Sequence, residues 1–369
     1  MTDVLIVGAG LSGATIAEHL ARVCNRKVLV IDKREHIGGN VYDYIDSQTG
    51  IRVGKYGIHM FHTNSDRVWN YIQRFGKWKR WDHKVLSHID GHYVPVPVNI
   101  NTVNSVCGQN IQTEAEMIEW LKETQIQCIE PKNSEDVALS RVGKELYTKL
   151  FRPYTLKQWN KDPTELDTSV LSRIPVRTNF DDRYFTDKYQ ALPSDGYTSI
   201  VESMLTHPNI TVKLSTDWSD IRDVMSWNTL IFTGPIDQYF CESGLPKLEY
   251  RSLKFDWEVY KTRGYYQPTS QVNYPEITVP YTRIVEYKHL LNQESEYTII
   301  TKETSSDEGE PYYPVPNDRN KEVYTKYREL ADKSQTQNVH FIGRLASYKY
   351  FNMDQAIDCA IDYFEKYLV

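Results

Sequence analysis

Cysteine is scarce and scattered in this chain of 369 residues. Cys24, Cys107, Cys128, Cys241 and Cys359 form no C-x-x-C pair, which argues against a disulfide framework and against a zinc or other metal site; a reducing cytoplasm fits that usage. Positive charge is not in excess: 43 Lys and Arg stand against 49 Asp and Glu, so nothing resembles a footprint for nucleic acid or an acidic membrane. No apolar run approaches the roughly 20 residues that span a bilayer, so no membrane insertion is expected. The N-terminus enters an apolar strand at once, leaving no room for a signal peptide. Internal repeats and low-complexity segments are absent, and no Ser-His-Asp or Cys-His constellation stands out.

What is present begins at Val4. Val4-Leu5-Ile6-Val7 is a short β-branched apolar run that suits a buried parallel strand, and Gly8-Ala9-Gly10-Leu11-Ser12-Gly13 follows without a gap. Gly8 allows the tight turn, Gly10 lets backbone approach a pyrophosphate, and Gly13 lets helix and strand pack closely. An amphipathic helix to Val23 leads to a second strand, Lys27 to Ile31, ended by Asp32, where an acid binds a ribose hydroxyl. Strand, glycines, helix, strand and acid in that order predict a bound dinucleotide. Gly38-Gly39-Asn40, just past the acid, resembles the extended motif of FAD-binding proteins of the glutathione-reductase and amine-oxidase type. A Cβ there would obstruct backbone running beside the flavin's pyrophosphate and ribityl chain, so FAD is favoured over NAD.

Residues 43–55 read as a hairpin or loop. Tyr56-Gly57-Ile58-His59-Met60-Phe61-His62 reads as a ligand-facing loop, although either histidine alone is also consistent with a structural, hydrogen-bonded role. A short helix over 66–74 follows. The runs 84–89 and 93–98 flank an Asp90-Gly91 turn, with prolines holding the second strand at an edge. Helical character extends over 113–158, opened by a Thr113-x-x-Glu116 capping box. Leu230 to Pro235 predicts a buried strand ending in a glycine turn at the cofactor crevice. Alternation over 252–260 predicts a half-buried strand, 277–287 and 297–301 further strands, and 304–309 a polar loop. Val339 to Arg344 is a strand ending in Gly-Arg, and a stripe from Met353 to Phe364 is a closing helix. The chain also carries 27 Tyr, whose apolar faces and polar tips suit a site for sugar, uracil or flavin rings; for most individual tyrosines a core or surface role serves as well.

Several blocks, ordered across the whole chain, carry a specific resemblance: Asp32-Lys33-Arg34 with Ile37 to Asn40, Tyr56 to Thr63, Phe151-Arg152-Pro153-Tyr154 with Trp159, and Arg173 to Arg177. Tyr281 to Ile284, Glu310 to Pro314 and Gly343-Arg344-Leu345 complete the set. The chain resembles the prokaryotic, FAD-dependent UDP-galactopyranose mutases. That resemblance implies an α/β fold: a Rossmann-like FAD-binding domain (1–80, 191–240, 320–369), an inserted helical domain with a mobile substrate loop (100–175), and a twisted antiparallel sheet domain (81–99, 176–190, 241–319). It implies an isomerase that interconverts UDP-galactopyranose and UDP-galactofuranose for cell-surface polysaccharide. The N5 position of reduced FAD is the nucleophile at the anomeric carbon; the sugar ring recloses through O4, and there is no net redox change.

By position, the resemblance places Tyr154 on uracil with Trp159 beside it, and adds Phe151 and Thr155 to the substrate set. Arg173 and Arg283 hold the diphosphate, with Tyr184, Tyr313 and Tyr350 donating to it; Arg173, Arg283, His59, Tyr313 and Tyr350 form the catalytic set. Planar guanidinium forks suit the charge developing on departing UDP. Read without the resemblance, either arginine is a surface or interdomain ion-pair partner. The cofactor set is Gly8, Gly10, Leu11, Ser12, Gly13, Asp32, Lys33, Gly39, Asn40, Tyr56, His59, Gly234, Gly343, Arg344, Asn352 and Met353. Partners implied are a UDP-sugar, an external reductant such as NAD(P)H, and a second copy in a homodimer. Four departures from the family pattern bear on sugar specificity and flavin tuning: Ile58 for proline, Ala191 for glycine, Asn352 for aspartate, and Trp81-Asp82-His83 for an asparagine-containing segment beside the sugar. The alternatives are a sibling mutase for an N-acetylated or 6-deoxy nucleotide sugar, an amine-oxidase-type FAD oxidoreductase, and a non-catalytic nucleotide-sugar binder.

Overall fold

The architecture was taken from a computed structural model, which describes residues 2–335 and 337–369. A five-stranded parallel sheet has the order Ile210–Lys213, Val28–Ile31, Thr2–Val7, Trp227–Phe232, Val339–Phe341. The glycine-opened helix Leu11–Arg22 makes the first crossover and packs against the closing helix Met353–Tyr367 and the helix Tyr197–Leu205. One face of the sheet is sealed by Val4, Ile6, Ala14, Ile16, Ile357 and Ile361, and the other by Leu5, Ile31, Leu230, Phe232 and Phe341. Burial on both faces is why these strands read as continuous apolar runs.

The second layer is a seven-stranded sheet: Tyr313–Pro314, Tyr250–Lys261, Tyr297–Ser306, Arg283–Glu286, Gln271–Asn273, Val85–Ile89, His92–Pro95. The predicted hairpin around Asp90-Gly91 is present, and its proline-bearing strand lies at the sheet edge. The sheet is mixed: Gln271–Asn273 pairs parallel with Val85–Ile89, while the other pairs are antiparallel. Two expectations are corrected here. The strand beginning at Tyr297 runs to Ser306, well into the stretch read as a polar loop, because its partner Tyr250–Lys261 continues alongside it. Conversely, only Arg283–Glu286 of the 277–287 run is a strand, and Ile277 is exposed.

Against the seven-stranded sheet pack the helices Ile100–Cys107, Glu114–Thr124, Ser134–Leu146 and Arg152–Trp159, around a core that includes Val103, Met117, Val142, Leu146 and Phe151. The Thr113–Glu116 capping box forms as read. Gly143 breaks its helix at φ +73, where a Cβ would lie 2.4 Å from the Thr124 carbonyl oxygen; that close crossing demands glycine. A π-turn over Tyr147–Phe151 then redirects the chain into the helix that carries Tyr154 and Trp159. The helices Tyr197–Leu205 and Asp318–Gln335 and the strand Ile210–Lys213 were not anticipated from the sequence.

Candidate active site

At the carboxyl ends of the parallel strands lies a cavity of about 540 Å³. Of the residues predicted to hold a cofactor, Gly8, Gly10, Leu11, Ser12, Gly13, Asp32, Lys33, Gly39, Asn40, His59, Gly234, Arg344, Asn352 and Met353 line it. The glycines divide by purpose. A Cβ on Gly8 would meet Thr233 Oγ1 at 2.0 Å, and one on Gly13 would meet the Gly8 carbonyl oxygen at 2.0 Å, so the protein itself requires both. A Cβ on Gly10 would meet nothing closer than Gly39 Cα at 3.7 Å, and Gly10 sits at an ordinary φ of -82. The fold does not need glycine there; a ligand lying against that backbone does. The donors and the cradle fit a dinucleotide. Asp32 accepts from the Ala9 N–H at 2.8 Å and the Arg34 N–H at 2.9 Å, which fixes its carboxylate at the cavity wall.

Two predicted cofactor residues stand outside that wall. Gly343 supports it: its φ is +104, and a Cβ would press on Ser12 Oγ at 3.1 Å. Tyr56 donates or accepts at His36 Nε2 (2.7 Å) and lies under the Arg34 guanidinium at 4.1 Å, so it acts on the cavity through Arg34. Gln238 and the rim 216–219 line the cavity but were not singled out in the sequence, and Arg34, quoted only within a family block, lines it too. The rim follows the end of Ile210–Lys213, and recognising that strand would have revealed it by the strand-end rule.

Beside the His59 and Arg344 end of the cavity, several elements bring arginines and aromatics together. Tyr313 and Tyr350 meet edge to face at 5.2 Å, and Trp159 packs on both, at 6.4 and 5.8 Å. Arg173 lies over Tyr350 at 4.4 Å and donates to Asn352 Oδ1 at 2.8 Å. Arg344 approaches the rings of Tyr350 and Tyr313 at 5.7 and 5.9 Å. Arg283 donates through Nε to Glu303 Oε2 at 2.6 Å. Three guanidiniums therefore meet with one neighbouring carboxylate among the described residues, an excess of positive charge suited to a diphosphate.

Burial, opposed by Arg283, raises the Tyr154 hydroxyl above its usual range, and burial likewise raises Tyr184; burial and the adjacent Tyr350 push Tyr313 up to about 12. These groups remain O–H donors at neutral pH. His59 is driven down to about 4 by burial and then by Arg344, and its Nδ1 donates to the Gly57 carbonyl at 3.1 Å. The ring is neutral and keeps Nε2 as an acceptor. Phe151 and Thr155, read as substrate contacts, are only 5% and 2% exposed and offer a ligand almost no surface. Phe151 belongs instead to the helical core. Among the departures, Ile58 packs against Ile51, Val53 and Tyr287, and Ala191 is buried in a strand paired to Phe61 and Arg80. Asn352 starts the closing helix, and His83 is buried beside Tyr184 and Phe185.

Comparison with known proteins accords with this geometry. Residues 149–350 match the family model for UDP-galactopyranose mutase, and residues 6–75 that for an NAD(P)-binding Rossmann-like domain. The chain is 36% identical over 370 residues to a probable UDP-galactopyranose mutase of Klebsiella pneumoniae, covering 99% of this chain and 94% of that one. It is 39% identical over 375 residues to the dTDP-fucopyranose mutase of Escherichia coli, covering 98% of each. A crystal structure of reduced UDP-galactopyranose mutase has the same fold, with a TM-score of 0.79 at 16% identity over 100% of this chain and 94% of the other. By the family match and by these near-full-length relatives, the chain belongs to the UDP-galactopyranose mutase family.

Proposed function

We propose that this protein interconverts the pyranose and furanose forms of a nucleotide sugar, UDP-galactopyranose and UDP-galactofuranose, with FAD in the Rossmann cavity. The observation that carries this reading is the cluster of Arg173, Arg283 and Arg344 among protonated tyrosine hydroxyls, set at one end of the dinucleotide cavity. Reduced FAD, when bound, supplies the nucleophile for the anomeric carbon and is regenerated without net redox change. The protein's own residues do the rest. Arg173 and Arg283 clamp the diphosphate and stabilise the charge that UDP carries as it leaves and returns. Tyr184, Tyr313 and Tyr350 donate to the same oxygens, while Tyr154 offers its ring to the base and the buried Trp159 backs Tyr313 and Tyr350. His59, neutral and bonded through Nδ1, adds no competing charge beside the arginines. Trp159 packs on Tyr313 and Tyr350 and closes that side of the cluster with apolar surface. A cytoplasmic homodimer, reduced by NAD(P)H and feeding galactofuranose into surface polysaccharide, completes the reading.

The test is to reduce the purified protein with dithionite, add UDP-galactofuranose, and follow UDP-galactopyranose by chromatography beside an unreduced control. Conversion in the reduced sample alone is expected; no conversion with flavin bound would overturn the choice of sugar. A second reading, a mutase for a dTDP-linked 6-deoxy hexose, draws on the 39% identity to the dTDP-fucopyranose mutase. The same assay with dTDP-fucose separates the two.

A further inference from the structure

The turn that follows the strand Tyr297–Ser306 carries an arm to the dinucleotide cavity. Gly309 takes φ +120, and a Cβ there would stand 2.6 Å from Ser252 Oγ, so the turn requires glycine. Ser252 is buried, and its Oγ–H donates to the Glu310 carbonyl at 2.7 Å. Tyr312, also buried, donates its N–H to the Arg251 carbonyl at 2.9 Å. The backbone that bears Glu310 is therefore fixed on both sides.

From that base the Glu310 carboxylate reaches the Rossmann layer. Its Oε1 accepts from Lys33 Nζ at 2.8 Å, and its Oε2 lies 3.9 Å from the Arg34 guanidinium. Arg34 is itself held by Asn40 Oδ1 at 3.0 Å and by the face of Tyr56 at 4.1 Å, with Tyr312 packed beyond Tyr56 at 6.3 Å. One carboxylate from the second layer thus joins both basic residues that follow Asp32.

The pairing stands at an opening. Glu310 and Pro311 border the dinucleotide cavity and also a neighbouring cleft of about 720 Å³, and so do Pro235, Gln238 and Cys241 of the Rossmann layer. The Lys33 and Glu310 side chains are 41% and 48% exposed, so the ion pair meets solvent at that seam. We infer that Glu310 is a clasp over the adenosine half of the cavity, a positioning residue that sets how fast the cofactor leaves; this rests on reading the cavity as the FAD site. A dinucleotide leaving past the seam has to part Glu310 from Lys33 and Arg34. An ion pair this exposed is weak and is weakened further by salt, so the clasp slows release without preventing it.

Release of FAD from the loaded protein tests this, followed by the fluorescence of free flavin with a flavin-scavenging apoprotein present. Glu310→Gln keeps the size of the side chain and removes its charge, and it should release FAD about two- to fivefold faster at low salt. Added salt should speed release from the unmodified protein more than from the variant, because it screens a pair that the variant lacks. Lys33→Met should release FAD at least as fast, and adding Glu310→Gln to it should bring little further increase, the mark of one shared interaction. Melting temperatures of the flavin-free proteins show whether each variant folds, and the two single variants test the pair from opposite sides. Equal or slower release from Glu310→Gln would overturn the inference. A salt response unchanged by that substitution, or rate increases that multiply in the double variant, would overturn it as well. Failure of the unmodified protein to bind FAD at all would remove the reading of the cavity itself, a result distinct from fast release.

Discussion

Arg283 and Glu303 are directly opposed in the antiparallel ladder between Arg283–Glu286 and Tyr297–Ser306, and their side chains form an ion pair with Glu303 fully buried. Burial works against the Arg283 charge, and Glu303, with Tyr313 and Tyr154, more than offsets it. Because the bond uses Nε, both terminal nitrogens of Arg283 stay available to a ligand. The remaining Glu303 oxygen, Oε1, has no partner and faces Gly57, where a Cβ would lie 3.3 Å away. Glu303 thus positions Arg283 and leaves room at Gly57, in the loop that carries His59, only for glycine's hydrogen.

Removing either partner separates these roles. Arg283→Ala should lower turnover by about 100-fold or more, the scale of a lost charge-stabilising donor, while flavin stays bound. Glu303→Ala should cost about 1–3 kcal/mol of stability, because it leaves a half-buried guanidinium without its carboxylate partner. Turnover and flavin absorbance check the first variant, and denaturant unfolding the second. Near-normal turnover of Arg283→Ala would remove it from the site.

The glycine motif yields a sharper contrast. Gly10→Ala should fold and melt like the flavin-free protein, since no protein atom blocks the new methyl, yet it should lose bound flavin. Gly13→Ala should be destabilised by about 1–3 kcal/mol whether or not flavin is present, because its Cβ meets backbone at 2.0 Å. Absorbance per protein and melting temperature read the two effects independently. A full complement of flavin in Gly10→Ala would mean that the cofactor does not lie against that backbone.

That contrast marks what could be read from the sequence. The first crossover was legible because strand, glycines, helix and acid are local, and the structure shows the steric need for glycine at Gly8 and Gly13. The arginine–tyrosine cluster was not legible from periodicity. Arg173 follows a one-turn helix, Arg283 opens a strand, and Tyr313 and Tyr350 lie in short segments, so only the three-dimensional fold and the family resemblance join them. Glu303 falls between the predicted strand 297–301 and the predicted loop 304–309 and carries no local signal; its function depends on the residue opposite it. Phe151 and Thr155 show the converse. The resemblance put them with Tyr154 in the substrate set, but a helix turns neighbours to different faces, and these two face inward.

Two neutral histidines set an acid limit. Burial, opposed by a hydrogen bond with Gln271 and aided by Arg283 and His62, holds His83 down to about 3, while His59 is held at about 4 against an ordinary value of 6.5. Between 6.5 and those lower values, the unfolded chain binds protons that the folded protein does not. Stability is therefore fully present above about pH 6.5 and falls as pH drops below it, by up to about 3 kcal/mol for each histidine. Thermal melts from pH 7.5 to 4.5 should show that decline, and His83→Phe should make it shallower. An equally steep decline in the variant would place its origin elsewhere. Turnover of the reduced enzyme should show no inflection near pH 6.5 from His59.

Arg173 differs from Arg283 in having no carboxylate within ion-pair distance among the described residues. It is exposed, and it is held by a neutral amide, Asn352 Oδ1, and by the face of Tyr350. Its charge is thus uncompensated and free to meet a diphosphate, whereas the family's aspartate at position 352 would compete for it. Holding Asn352, stacking on Tyr350 and presenting a fork to phosphate at once requires a planar guanidinium. Arg173→Lys keeps the charge but cannot satisfy all three, so it should bind UDP about tenfold more weakly and turn over more slowly still. Asn352→Asp should also weaken UDP binding, with a loss that shrinks at high salt as the new ion pair is screened. Calorimetry with UDP at two ionic strengths checks both. Unchanged UDP affinity in Arg173→Lys would make this arginine an ordinary surface residue and leave Arg283 and Arg344 to carry the diphosphate.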